Sequence, residues 1–461
     1  MLQIDKLSPK PYYIQIYDYF KHEIESGRMR AGTKLPSMRS LARYTGISKL
    51  TVEKAYFQLA NEGYIVGRRK ARFEAAALSV NKRERAVGQY IKAESGQPPW
   101  KYDFASGDVD LEGFPLILWR RYMHRVLSDP AILLAGQDEQ GSPALREALS
   151  GYMYETRGVH AAADNIVIGN GVTPLLRILG YILRNKHSRI AVEEPGFRLG
   201  REVFRSGGYE IVPLPLRDDG LDVDALAQAD TGLVYVTPSH QFPTGKVMPV
   251  GQRYKLLDWA VQEDGLIIED DYDSEFKYSN RPVPALKSID YPDKVIYMGS
   301  FSKSISPSMR VSYMVLPESL LEKYHQLFHC FVCPVSIIIQ KILTKFLESG
   351  EFEKHLNRMR KIYSKKRQLI VDLLKDCPDI QVTGADAGLH VVLQYPKYFT
   401  EKDIVAEARK QKIAVYGLES YGKKQEYPSI LLGFATLSNE EITEGISLLK
   451  EISYNSTAPS P

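Results

Sequence analysis

The chain is poor in residues that would staple or anchor it. Its 461 residues include three cysteines, Cys330, Cys333 and Cys377, too few for a disulfide framework and in keeping with a reducing compartment. No apolar run approaches the roughly 18 residues of a membrane span, and the opening MLQIDKLSPK lacks the apolar core of a secretory signal. The expected location is therefore the cytoplasm. Net charge is small too, at +4. What remains is an ordinary soluble composition, 44% hydrophobic and 25% charged, in a chain long enough for two or three domains.

The small net charge conceals an asymmetry. Residues 1–75 contain 14 Lys/Arg against 7 Asp/Glu, a balance of +7, which leaves −3 on the other 386 residues. A basic module on a mildly acidic body points to an anionic partner for that module, nucleic acid before others. Its pattern is helical. Tyr13, Ile16, Phe20 and Ile24 recur at helical spacing before Gly27, and Ser37 can cap a second helix carrying Leu41 and Ala42. After a turn through Tyr44-Thr45-Gly46, Ser48 can cap a third helix with Val52, Ala55, Tyr56 and Leu59 at i, i+3, i+4 and i+7. Two helices joined in this way form a helix-turn-helix. Lys49, Thr51 and Lys54 then fall on or near the first turns of the helix that would enter a major groove. Tyr64-Ile65-Val66 and the run Arg68 to Phe73 suggest a wing, a hairpin with a basic tip. A three-helix bundle with a solvated basic face is the plainer alternative.

The stretch LPSMRSLARYTGISKLTVEKAYFQLANEGYI resembles the GntR-type winged helix-turn-helix, over roughly residues 10–75. That resemblance implies double-stranded DNA as partner and puts Arg39, Ser48, Lys49 and Thr51 on it; Ser37, Arg68 and Arg69 complete the expected DNA-facing set. The wing departs from the family's usual Gly-x-Gly turn, reading Gly67-Arg68-Arg69-Lys70-Ala71. Residues 76–100 carry a charge cluster and a Gly-Gln-Pro-Pro end and read as a linker.

Past residue 100, short apolar strands alternate with helical segments, the sign of a mostly parallel sheet covered on both faces. The unusual residues follow strand ends, where such sheets bind ligands. Gly171-Val172-Thr173 follows Ile168 as a turn into a helix suited to phosphate. Asp270 and Tyr272 follow Ile268 and share a face if the strand continues. Ser300, Ser302, Lys303 and Arg310 follow Met298. A lysine amine, a carboxylate, a phenol and a cup of hydroxyls, amides and one arginine are together what pyridoxal 5'-phosphate requires: a Schiff-base partner, a partner for the protonated ring nitrogen, a partner for the ring hydroxyl, and a phosphate anchor. In that order the candidates are Lys303, Asp270, Tyr272, and Ser300, Ser302, Arg310 with the Gly171–Thr173 turn; Phe197 can stack on the ring.

The stretches GNGVTPLL, EEPGF, TPSHQFPTG, IIEDDYDSEF and SFSKSISPSMRVSY are similar to fold-type I aminotransferases over nearly all of residues 100–461. With the GntR-type module in front, the chain resembles the MocR family of regulators. The resemblance implies a multi-domain chain: an N-terminal winged helix-turn-helix (1–75), a linker (76–100), and an α/β aminotransferase-like body (101–461) with a large domain at about 125–334 and a small one at about 335–461. It also implies head-to-tail homodimers that sense a small amine or amino acid through the Schiff base at Lys303.

Two departures bear on catalysis. The family's carboxylate-gripping arginine, in an Arg-Leu-x-Phe context, is replaced in Leu431-Leu432-Gly433-Phe434, leaving Arg198 as a candidate. The asparagine of Asn-Pro-Thr-Gly is Phe242. A catalytically active aminotransferase with an autoregulatory DNA module is the rival reading, and whether any transamination occurs stays open. His325, His329, Cys330 and Cys333 offer zinc-type ligands, but a packed helix explains them equally, and no metal is expected.

Overall fold

The computed structural model describes residues 2–6, 8–67, 72–77, 100–136, 138–278, 284–422 and 425–455. They fall into two compact units, residues 1–95 and 96–461.

In the first unit, α1 (Tyr12–Glu25), α2 (Met38–Thr45) and α3 (Lys49–Asn61) precede a two-stranded antiparallel hairpin of β1 (Ile65–Val66) and β2 (Glu74–Ala75). The helical spacing puts Ile16, Phe20, Ile24, Leu41, Val52, Ala55, Tyr56 and Leu59 into one core, where each large aliphatic or aromatic side chain contributes roughly 1.5–3 kcal/mol by leaving water. Ser37 accepts from the Ser40 amide at 3.1 Å and Ser48 from the Thr51 amide at 3.2 Å, so both serines act as N-caps.

The second unit begins with β3 (Tyr102–Asp103), which pairs in parallel with the distant β14 (Ile413–Ala414). Its main sheet consists of β4 (Ile166–Gly169), β5 (Arg189–Glu194), β6 (Glu210–Arg217), β7 (Gly220–Leu221), β8 (Leu233–Val236), β9 (Leu266–Asp271), β10 (Val295–Ser300) and β11 (Ser312–Val315). The order is β4-β11-β10-β9-β8-β5-β6-β7, parallel except for β11 and the edge strand β7. Apolar clusters cover both faces, which is why the strands are aliphatic throughout instead of alternating. A smaller antiparallel sheet, β12 (Gln381–Thr383), β13 (His390–Gln394), β16 (Ser429–Gly433) and β15 (Tyr416–Gly417), follows the long helix Glu351–Leu374. Among the described residues no helix is long and apolar enough to cross a membrane.

The run Glu269-Asp270-Asp271 shows how the pleat sorts charge. Glu269 accepts the backbone N–H groups of Leu286 and Lys287 at 2.7 and 2.8 Å. Asp271 takes the Arg157 guanidinium at 2.7 Å and the Tyr297 hydroxyl at 2.6 Å, with the Arg157 and Asp271 side chains only 4% and 1% exposed. Asp270 points the other way, toward the strand ends. Truncation as Arg157→Ala strands the Asp271 charge in the interior and should cost about 3–5 kcal/mol, measurable as a lowered midpoint in chemical denaturation of the full chain.

Burial pushes the carboxyls of Glu193, Glu269, Asp270 and Glu275 each up to about 7. Between the ordinary carboxyl range and about pH 7, the folded state therefore holds protons that the unfolded chain has released, and stability falls as pH rises. The ligand-free protein should melt at lower temperature at about pH 8 than at about pH 6, and Asp270→Asn should make that decline shallower.

Candidate functional site

The C-terminal ends of the central strands open onto a cavity of about 530 Å³, a size that suits a small cofactor. Nine of the ten cofactor candidates named from the sequence line it: Val172, Thr173, Phe197, Asp270, Tyr272, Ser300, Ser302, Lys303 and Arg310. They come from four separate strand ends, drawn together because β4, β5, β9 and β10 lie in one sheet. Gly171, the tenth, sits under the Arg310 guanidinium; its φ of +119° suits glycine, and any Cβ there would occupy the space of that guanidinium. Arg310 itself holds a left-handed φ of +51°, local strain of the kind that persists where the surroundings demand it.

Lys303 lies with its amine beside Gly107, and burial holds its pKa below the ordinary lysine value against the opposing pull of Asp273 and Asp108. A depressed pKa keeps more of the amine in the nucleophilic form. One carboxylate oxygen of Asp270 is bonded to the Tyr235 hydroxyl, whereas the other, Oδ1, is buried without a partner. Such an orphan costs on the order of 1–3 kcal/mol unless something arrives to meet it. A protonated ring nitrogen would do so. Phe197 lies nearly parallel to Tyr235, 21° between planes, and presents a ring to the cavity. Ser300 Oγ accepts from the Ser302 amide at 3.1 Å and from Ser312 Oγ at 2.9 Å, which pins the first turn after β10. These donors, the orphaned oxygen and the glycine-lined cradle fit pyridoxal 5'-phosphate.

Several lining residues escaped the sequence reading: Ser106, Gly107, Thr237, Asp273, Leu389, His390 and Tyr421. Tyr235 was the most accessible of the others missed, a hydroxyl inside the aliphatic strand Leu233–Val236. Asp273 and His390 carried no such signal, because the fold brings them in from a loop and from the small sheet. Leu431, which the resemblance aligns with the missing arginine, is buried in an apolar cluster with Val392 and Leu418, against which Phe242 and Tyr421 of the cavity lining pack. Arg198 reaches the cavity and is exposed.

In the first unit Arg39, Ser48 and Lys49 are exposed and Thr51 half-buried. Lys54 lies over the Tyr13 ring at 4.0 Å, so it is held against α1. Leu50, 76% exposed, joins Lys49 on the first turn of α3. Arg68 and Arg69 lie outside the described residues. The sulfur and imidazole motif does not assemble: His325 bonds Glu139 at 2.9 Å, the His329 ring meets Gln326 O at 3.2 Å, Cys330 is exposed and Cys333 buried.

Residues 12–74 match the bacterial regulatory proteins of the gntR family, and residues 101–449 match aminotransferase class I and II. The chain is 38% identical over 448 residues to the uncharacterized HTH-type transcriptional regulator YdeL of Bacillus subtilis (strain 168), covering 95% of this chain and 96% of that one. It is 29% identical over 469 residues to the probable rhizopine catabolism regulatory protein MocR of Rhizobium meliloti, covering 98% and 95%. The crystal structure of an archaeal alanine:glyoxylate aminotransferase matches with a TM-score of 0.71 at 25% identity, over 78% of this chain and 92% of that one. The chain thus belongs to the class I and II aminotransferase family and, with its gntR-type DNA-binding domain, is a pyridoxal-phosphate-dependent transcriptional regulator of the MocR family.

Proposed function

We propose that the body senses a small amine or amino acid at the Lys303 cavity and passes its occupancy to the DNA-binding unit, in a cytoplasmic homodimer. The observation that carries this is the meeting of a buried, pKa-depressed lysine amine with the unpartnered Oδ1 of Asp270 in one cavity. When bound, pyridoxal phosphate supplies an aldehyde that exchanges one amine for another. In this reading Lys303 offers the first amine, Asp270 keeps the ring nitrogen protonated, Tyr272 meets the ring hydroxyl and Phe197 stacks on the ring. Ser300, Ser302, Arg310 and the Gly171–Thr173 turn hold phosphate, while Arg198 meets an effector carboxylate. Ser37, Arg39, Ser48, Lys49 and Thr51, with Arg68 and Arg69, face DNA. The division of labour follows the boundaries read from the sequence, 1–75, 76–100 and 101–461, with a small domain from about 335. A two-fold dimer suits repeated half-sites on DNA.

Active transamination is the second reading, favoured by the intact lysine and aspartate and opposed by Leu431 and Phe242. Sustained turnover with amino donors and 2-oxo acid acceptors at about 1 per second or faster would support it.

Titrating the cofactor-loaded protein with a panel of amino acids should single out effectors that change both the visible spectrum and the affinity for operator DNA. A compound that changes the spectrum while leaving DNA affinity and bending untouched would defeat the coupling. Lys303→Ala should abolish borohydride trapping of the cofactor while sparing basal DNA binding. Lys49→Ala should do the reverse, reducing the slope of log affinity against log salt by about one.

A further inference from the structure

Behind Tyr272 lies a buried group that the reading above does not use. His240 Nδ1 is 2.9 and 3.0 Å from the two carboxylate oxygens of Asp273 and 3.0 Å from the Tyr272 hydroxyl, with the His240 and Asp273 side chains 1% and 2% exposed. The His240 and Tyr272 rings stack, 27° between planes. A side chain at Gly388, whose φ is +75°, would collide with both His240 and Asp273. His390 packs 5.1 Å from His240, centroid to centroid, and spends its Nε2–H on the Pro243 carbonyl at 3.1 Å.

These contacts assign the hydrogens. A carboxylate only accepts, so the nitrogen facing both Asp273 oxygens must carry a hydrogen. That hydrogen is shared with the Tyr272 oxygen, and the phenol cannot donate to a nitrogen that is itself donating. Among the described residues Tyr272 has no other hydrogen-bond partner, so its own O–H turns toward the cavity that Tyr272 lines.

We propose that His240, locked by Asp273, is a positioning residue that aims the Tyr272 hydrogen at the cofactor's ring oxygen, replacing the donor lost where Phe242 stands for asparagine. The inference rests on Tyr272 meeting that oxygen, as in the proposed function. A donor on the ring oxygen draws off negative charge that would otherwise hold a proton on the neighbouring nitrogen, and a phenol that accepts from His240 is the stronger donor. Other charged groups bear on the same pair: Asp270, Asp271 and Glu193 act on Tyr272, Asp273 and Asp108 act on Lys303, and Lys303 acts on His390.

The test is the pH midpoint of the visible absorbance change of the loaded protein. Tyr272→Phe should raise it by about one pH unit, the equivalent of one hydrogen bond, and His240→Phe should raise it part of the way. His240→Asn, which keeps an N–H near the place of Nδ1, should stay close to the natural protein. In a Tyr272→Phe background, His240→Phe should add nothing. A further rise there would mean that baring the Asp273 charge, and not positioning the phenol, moves the midpoint, and the proposal would fall. It would fall equally if His240→Phe left the midpoint in place; should that variant not fold, His240→Leu serves. An unmoved midpoint in Tyr272→Phe itself would overturn the assigned role of Tyr272 along with this inference. Movement in Tyr272→Phe alone would spare that role and sink only the part given to His240.

Discussion

A carboxylate oxygen buried without a partner at the end of a central strand is the constraint from which the body's chemistry follows. Folding alone has no use for Asp270 Oδ1 in that state, since the group loses water and gains nothing. The two acids on either side of it in sequence face the other way and are tied into the fold, Glu269 by two backbone amides and Asp271, through Oδ2, by Arg157 and Tyr297. The contrast separates structure from function within three residues. Two carboxylates hold the sheet to its surroundings, and the third lines the cavity, where a cation can meet it.

Around that oxygen the fold spends further unfavourable arrangements. Lys303 keeps its amine where burial disfavours its charge, Arg310 holds a left-handed backbone, and Gly171 leaves room for that arginine's guanidinium. Each is costly by itself, of order 1–3 kcal/mol for strain or an unmet polar group. They gather in one cavity, where, in the proposed reading, a bound phosphate-bearing ring repays all of them together.

Two positions in or beside the same cavity depart from the family's pattern. Leu431 lies in a buried apolar cluster with Val392 and Leu418, and Phe242, where the family's pattern carries asparagine, lines the cavity. The residues proposed to hold the cofactor line the cavity, whereas the residue aligned with the family's arginine belongs to hydrophobic packing. A capped helix with exposed Ser48, Lys49 and Leu50 on its first turn stands at the other end of the chain. Both halves thus retain recognition, the property a regulator needs from each.

Helical spacing was enough to identify α1 to α3 and their core, because a 3.6-residue period and local caps are written in adjacent residues. The gathering of the candidate residues in one cavity was legible for a related reason: each stands at or just after the end of an apolar strand, and parallel strands in one sheet end on the same side. Lys54 is exposed near the start of α3, but its contact with the Tyr13 ring was not legible because Tyr13 sits on another helix. Asp273, His240 and His390 were illegible as a cluster, since no local period joins a loop before the Pro-Thr-Gly turn, a turn after β9 and a strand of the small sheet. Sequence by itself determined the candidate residues and the strand ends at which they stand. Only tertiary packing decided which of three adjacent acids lines the cavity and which histidine backs the tyrosine, because burial and hydrogen-bond partnership depend on what the rest of the chain brings near.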